Sequence, residues 1–145
     1  YAAWEATTKA AAERPGGGGD VFRFNCEPIV EAGQALLVDD DFQLDDRITI
    51  QPTPGHSPCH CCVHIRSGGQ HAVITGDLMH HALQVHQPDW HTVFDWDTAE
   101  STVSRRRFFG QVADTDARIL PIHFPDPTVG RIEAQGDRFR WRYLR

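Results

Sequence analysis

No run of this chain stays apolar for anything near the ~20 residues that a bilayer-crossing helix requires, so no helical membrane span is expected. A basic surplus is also missing. Lys+Arg number 14 against Asp+Glu 20, for a formal charge of −6 and a pI of about 5.8. A phosphate backbone would be repelled, which excludes general nucleic-acid binding. Cysteine is scarce and badly placed for cross-linking. Of the four, Cys59, Cys61 and Cys62 fall within four positions, too close together to staple a small secreted fold. There is no internal repeat, and the one low-complexity segment is Gly16-Gly17-Gly18-Gly19. The charged and then apolar segments of a signal peptide are absent. The chain opens at Tyr1 in an alanine-rich stretch that reads as a helix already under way. We therefore expect a fragment of a longer protein, soluble and by default cytoplasmic, whose compartment the sequence leaves open.

What is present suffices for one hydrophobic core: 145 residues, of which 40% are hydrophobic. Residues 1–145 are expected to form a single partial domain. A helix should cover 1–13, and Pro15 should end it at a glycine-rich surface loop over 14–20. Short β-like runs follow at 21–24, 35–38 and 48–51. The acidic stretch Asp39-Asp40-Asp41 lacks the ligand spacing and glycine of a calcium-binding EF-hand loop, and reads as a solvated turn. Residues 61–65 and 72–75 flank Arg66-Ser67-Gly68-Gly69-Gln70 as a hairpin. Residues 78–92 are loop-like and rich in His and Pro.

Asp97 then caps a helix, with Glu100 three residues on. Val103, Phe108 and Val112 are expected on its inner face, interrupted by Arg105-Arg106-Arg107 as a solvated face paired with acids. Another strand is expected over 117–122. The chain closes with a run over 130–134, the turn Gln135-Gly136-Asp137, and an alternating strand over 138–143. That last strand places Phe139, Trp141 and Tyr143 on one face and arginines on the other, as in a guarded edge strand.

The chemistry concentrates in Gln51-Pro52-Thr53-Pro54-Gly55-His56-Ser57-Pro58-Cys59-His60, read with Thr75-Gly76-Asp77 and Pro121-Ile122-His123-Phe124. His56, Asp77 and His123 each follow an apolar β-like run and precede a turn, where a sheet presents metal ligands. Imidazole with carboxylate suits a borderline divalent ion such as Zn²⁺. Nine histidines raise the expectation of metal or acid–base chemistry only modestly. His80 and His81 lie just after Asp77, so one of them is a candidate to face the pocket. His64, His71, His86 and His91 read as surface or packing residues. Trp90, Phe94 and Trp96 fit either a substrate wall or packing beneath the loop. Cys59, Cys61 and Cys62 beside His60 read as small buried residues or as a separate soft-metal module. Strand alternation points Cys59 and Cys61 one way and His60 and Cys62 the other.

The order of these segments resembles the metallo-β-lactamase-fold hydrolase superfamily, and more narrowly its lactonase and organophosphate-hydrolase-like branch. There a TPGHTPGH-type segment ends a strand, and a GD pair is followed by a His- and Gln-containing loop, here Asp77-Leu78-Met79-His80-His81-Ala82-Leu83-Gln84. The resemblance runs from about Pro28 to the C-terminus. It implies an α/β metallo-β-lactamase-like αβ/βα sandwich, of which this chain is the C-terminal half: a mostly antiparallel or mixed sheet with outer helices. It also implies two Zn²⁺ ions per complete site, with other divalent metals possible. His56 and His123 would be ligands of the two ions and Asp77 the carboxylate between them, holding a hydroxide that opens a lactone, ester or phosphotriester. His60, His80 and His81 are the candidate supporting or substrate residues. A small-molecule substrate and possible homodimerisation are implied as well. The HxHxDH run that supplies the family's remaining ligands is missing from this chain. Two other expectations therefore stand beside the hydrolase: a non-catalytic half-protein needing a partner, and a small metal-binding module built on Cys59–Cys62.

Overall fold

Alternation and β-branched residues organise the sheet. The computed structural model describes residues 23–40 and 42–145, and the chain divides into two compact units, Tyr1–Asp39 and Asp40–Arg145. The expected helix over 1–13 and loop over 14–20 lie outside the described residues. In the first unit, helix α1 (Glu27–Glu31) carries a proline in its first turn, where a missing N–H leaves no bond unmade. Two strand expectations fail there. Arg23 and Phe24 are helical, and residues 35–38 join no strand. Short apolar runs do not distinguish strand from helix, and a strand needs a partner to pair with.

The second unit is built on a six-stranded sheet in the order β1-β2-β3-β4-β5-β6. Its strands are β1 (Ile48–Pro52), β2 (Cys61–Ser67), β3 (Gln70–Ile74), β4 (Arg118–Leu120), β5 (Gly130–Gln135) and β6 (Arg138–Tyr143). The β3–β4 pair is parallel and every other pair antiparallel. This is the expected mixed α and β architecture. The hairpin turn between β2 and β3 falls at Gly68-Gly69, both with positive φ. β6 forms the sheet edge, with Arg140 and Arg142 both paired to Glu133 of β5.

The crossover from β3 to β4 carries a 3₁₀ turn (Gly76–Leu78), the short helix α2 (Leu83–His86) and the long helix α3 (Thr98–Val112). Asp97 caps α3 as expected, its carboxylate accepting the Glu100 N–H at 3.0 Å. Phe108, Phe109 and Val112 share one buried cluster with Cys62, Val73, Ile119 and Ile132 of the sheet, so α3 covers that face. Phe109 meets Phe139 edge to face, and Phe124 meets Trp141 in the same way. The inner face of α3 is Ser101, Ser104, Arg105, Phe108, Phe109 and Val112. Val103 lies off that 3–4 spacing and is 55% exposed, contrary to expectation. Arg105 is wholly buried, so only part of the arginine run is solvated. On the opposite sheet face Ile50, Val63, Ile74 and Leu120 stand in register, with Ile74 left 38% exposed.

His64 is a packing histidine, stacked on His71, with its Nδ1 3.0 Å from His71 Nε2 and its Nε2 2.7 Å from Gln51 Oε1. Burial, then the charges of Arg66 and His71, push it down to about 4 from 6.5. The neutral ring is the native form, whereas the unfolded chain protonates near 6.5. Its contribution is therefore complete above pH 6.5 and is lost as pH falls through about 4. We expect the urea midpoint to drop across that window, and His64→Gln to flatten this part of the pH profile.

Candidate metal centre

The site follows from strand direction. β1 and β3 are both antiparallel to β2, and β4 is parallel to β3, so the carboxyl ends of β1, β3 and β4 share one edge. The register sets Ile74 opposite Leu120. Asp77 and His123 each lie three positions beyond those partners (74 to 77, 120 to 123), and so meet above the sheet. His56 reaches the same edge from the turn after β1.

That turn is shaped by close packing. Gly55 has φ +140, and a Cβ there would lie 2.4 Å from the Ser101 backbone at the start of α3, so no larger residue fits. The Gly55 carbonyl accepts the Asp97 N–H at 2.9 Å and the His56 carbonyl accepts the Trp96 N–H at 3.2 Å. Ser104 Oγ donates to the Pro54 carbonyl at 2.6 Å.

His60 stands behind Asp77. Its Nε2 accepts the Asp77 N–H at 3.0 Å, so its proton sits on Nδ1, which faces Thr53 Oγ1 at 2.8 Å and the Thr53 carbonyl at 3.1 Å. Burial holds its pKa below the ordinary value, against the Thr53 hydrogen bond, consistent with this neutral ring. Gly76, at φ +50, lets the chain pass His60 Nε2, 2.9 Å from where a Cβ would be.

Four side chains converge. Asp77 Oδ1 is 2.5 Å from His123 Nε2 and 3.5 Å from His80 Nε2, while Asp77 Oδ2 is 3.8 Å from His56 Nε2. The His80 ring lies 4.8 Å from that of His123, nearly parallel, and 5.2 Å from that of His56. Burial works to raise the Asp77 carboxyl. The His123 hydrogen bond and the charges of His56, His123 and His80 outweigh it, leaving Asp77 below its usual range. His80 is lowered by burial, partly opposed by Asp77. With Phe94 these four residues line an open cleft of about 470 Å³.

His81 turns elsewhere, its Nδ1 accepting the Leu83 N–H at 3.1 Å. Gln84 holds both histidines' backbone, accepting N–H bonds from His80 at 2.6 Å and His81 at 3.2 Å.

Two residues that the motifs did not mark support this cleft. Asp95, with a fully buried side chain, lies 3.4 Å from His56 Nδ1 through Oδ1 and 2.9 Å from Arg105 Nη2 through Oδ2. Arg105 also donates to the carbonyls of Leu78 (2.7 Å), Pro88 (3.2 Å) and Trp90 (2.8 Å). Burial opposes ionisation of Asp95, but the Arg105 charge and hydrogen bond prevail and lower its pKa. The one available signal was the arginine run interrupting the expected inner face of that helix.

The donor set fits a divalent cation. Ligand atoms of His56, Asp77 and His80 all lie within 4.8 Å of one another, and imidazole with carboxylate suits Zn²⁺. The cysteines do not form such a group among the described residues. Cys62 is buried, its thiol 3.8 Å from the Thr75 carbonyl and pushed by burial up to about 12. Cys59 is exposed.

The model of the metallo-beta-lactamase superfamily matches residues 2–121. Among solved structures the chain is similar to AidC, a dizinc quorum-quenching lactonase in complex with a product. That match has 26% identity and a TM-score of 0.72, covering 86% of this chain and 47% of that one. It is also similar to AbOPH, a hydrolase in the beta lactamase superfamily, at 22% identity and TM-score 0.70, covering 81% and 41%. A probable metal-dependent hydrolase from Staphylococcus aureus matches at 24% identity and TM-score 0.63, covering 79% and 41%. These last two likenesses are of fold. The chain spans less than half the length of each of these three structures. No match was found among curated proteins.

Arg105→Met should leave the buried Asp95 without its guanidinium counter-charge, at a cost of about 3–5 kcal/mol read by urea denaturation, with Asp95→Leu on the same background recovering part of the loss. Gly55→Ala should lower stability by about 1–3 kcal/mol, because the turn must shift off the Ser101 backbone.

Proposed function

The chain belongs to the metallo-beta-lactamase superfamily, and from that membership we propose that it carries the C-terminal metal ligands of a hydrolase acting on a lactone, ester or phosphotriester. His56, Asp77 and His123 are the ligands this chain supplies, with His80 beside them. The observation that carries the proposal is their convergence at the common end of β1, β3 and β4. A two-ion centre is supported by Asp77, whose two oxygens face different imidazoles: Oδ2 toward His56, Oδ1 toward His80 and His123. Zinc fits the donor chemistry. Bound divalent ions supply Lewis-acid polarisation of the scissile group and acidify water.

The chain's own residues prepare for that. Asp77 is held ionised, and its turn is fixed by the hydrogen bond to His60. His56 is fixed by the Gly55 turn, and Phe94 offers an apolar wall to a small substrate. The AidC likeness supports a lactone as the substrate class.

We read residues 1–145 as a C-terminal portion of such a domain, inactive without the ligands of an HxHxDH run. The 47% span of AidC and the partly open aliphatic sheet face support this. Equilibrium dialysis against Zn²⁺ tests the ligand assignment. His56→Ala, Asp77→Ala and His123→Ala should each reduce bound zinc, while Cys59→Ser with Cys61→Ser should not. The reverse pattern would replace this centre with the cysteine module. Turnover of an aryl ester or lactone by the isolated chain at enzyme-like rates would overturn the incomplete-half reading.

A further inference from the structure

Asp95 faces the side of His56 turned away from the cleft. Its side chain is 0% exposed, and its Oδ2 is fixed by Arg105 Nη2 at 2.9 Å, with His91 Nδ1 at 3.8 Å. Oδ1 accepts from Thr92 Oγ1 at 3.3 Å and lies 3.4 Å from His56 Nδ1. That nitrogen is buried and has no well-aligned hydrogen-bond partner, so the Asp95 carboxylate decides its electrostatic surroundings. Two adjacent backbone bonds hold the segments together: His56 O accepts the Trp96 N–H, and Gly55 O accepts the Asp97 N–H. Across the ring, Nε2 faces Asp77 Oδ2 at 3.8 Å.

A bare Nδ1 would set a lone pair against a buried carboxylate, which is repulsive in a low-dielectric interior. A protonated Nδ1 turns the same contact into attraction. We infer that Asp95 is a positioning residue that locks neutral His56 in the Nδ1–H tautomer, leaving the Nε2 lone pair aimed at the cleft. Arg105, having only donors, keeps the carboxylate in place and thereby sets the ring's orientation from α3. The usefulness of this lock for metal binding rests on His56 being a ligand as proposed above. The tautomer itself does not.

The full chain, ¹⁵N-labelled, metal-free and well above the ordinary histidine pKa, is examined by long-range ¹H–¹⁵N correlation, with His56 assigned by His56→Gln. The expected result is a protonated-type Nδ1 and a bare-type Nε2. The opposite tautomer, or an even mixture, overturns the inference. In Asp95→Asn the single side-chain oxygen is drawn to Arg105, which turns the amide NH₂ toward His56. His56 should then switch to the Nε2–H tautomer, and zinc affinity should fall by about tenfold or more. An unchanged tautomer in a folded Asp95→Asn chain also overturns it, since a purely structural Asp95 would leave the ring untouched. If Asp95→Asn does not fold, the wild-type tautomer decides alone. If His56→Ala keeps full zinc affinity while the tautomer is as expected, the ligand assignment fails and the positioning role stands.

Discussion

A guanidinium cannot be buried without partners, and Arg105 is buried completely. That requirement organises the whole of the long crossover. Its donors reach Leu78, Pro88, Trp90 and Asp95, four points spread over a segment with little regular structure. Leu78 adjoins Asp77, and Asp95 adjoins the backbone that holds His56. One side chain on α3 thus ties both arms of the candidate metal centre to the helix that covers the sheet. Satisfied charge thus adds to the apolar burial of Leu78, Met79 and Val85 in ordering this segment, while Trp90, Phe94 and Trp96 stay exposed and Phe94 lines the cleft.

The second constraint is the parallel pairing of β3 with β4. In an antiparallel sheet of this connectivity, Asp77 and His123 would leave at opposite ends. The crossover through α2 and α3 reverses that and delivers both residues to one edge, where β1 already ends. Glycine at Gly55 and Gly76 then allows the turns to approach α3 and His60 more closely than any side chain would permit. The candidate centre is therefore closely packed at the Gly55 and Gly76 turns and open on the cleft side.

Much of this was legible. The positions of His56, Asp77 and His123 at strand ends followed from apolar runs bounded by turns, and the hairpin, the Asp97 cap and the terminal edge strand followed from glycine placement and alternation. What was not legible were contacts between segments distant in sequence. Val103 and Arg105 exchanged their expected environments because the core that receives α3 is shaped by loop carbonyls as well as by apolar side chains. His81 and His80, adjacent in sequence, were indistinguishable until the Leu83 N–H engaged the His81 ring and Asp77 faced that of His80. The runs over 21–24 and 35–38 looked like strands, yet Arg23 and Phe24 are helical and residues 35–38 join no strand.

By itself the sequence determined the donor chemistry, the strand-end placement of three candidate ligands and the missing HxHxDH run, because these depend on residue type and local periodicity. Only the tertiary structure decided that His80 joins the cluster, that His60 braces Asp77 from behind, and that Asp95 and Arg105 stand behind His56. Each of those roles requires a side chain to meet a group some 3 to 40 positions away at hydrogen-bond or ion-pair distance. Sequence spacing carries no information about such meetings until strand direction and register bring the segments together.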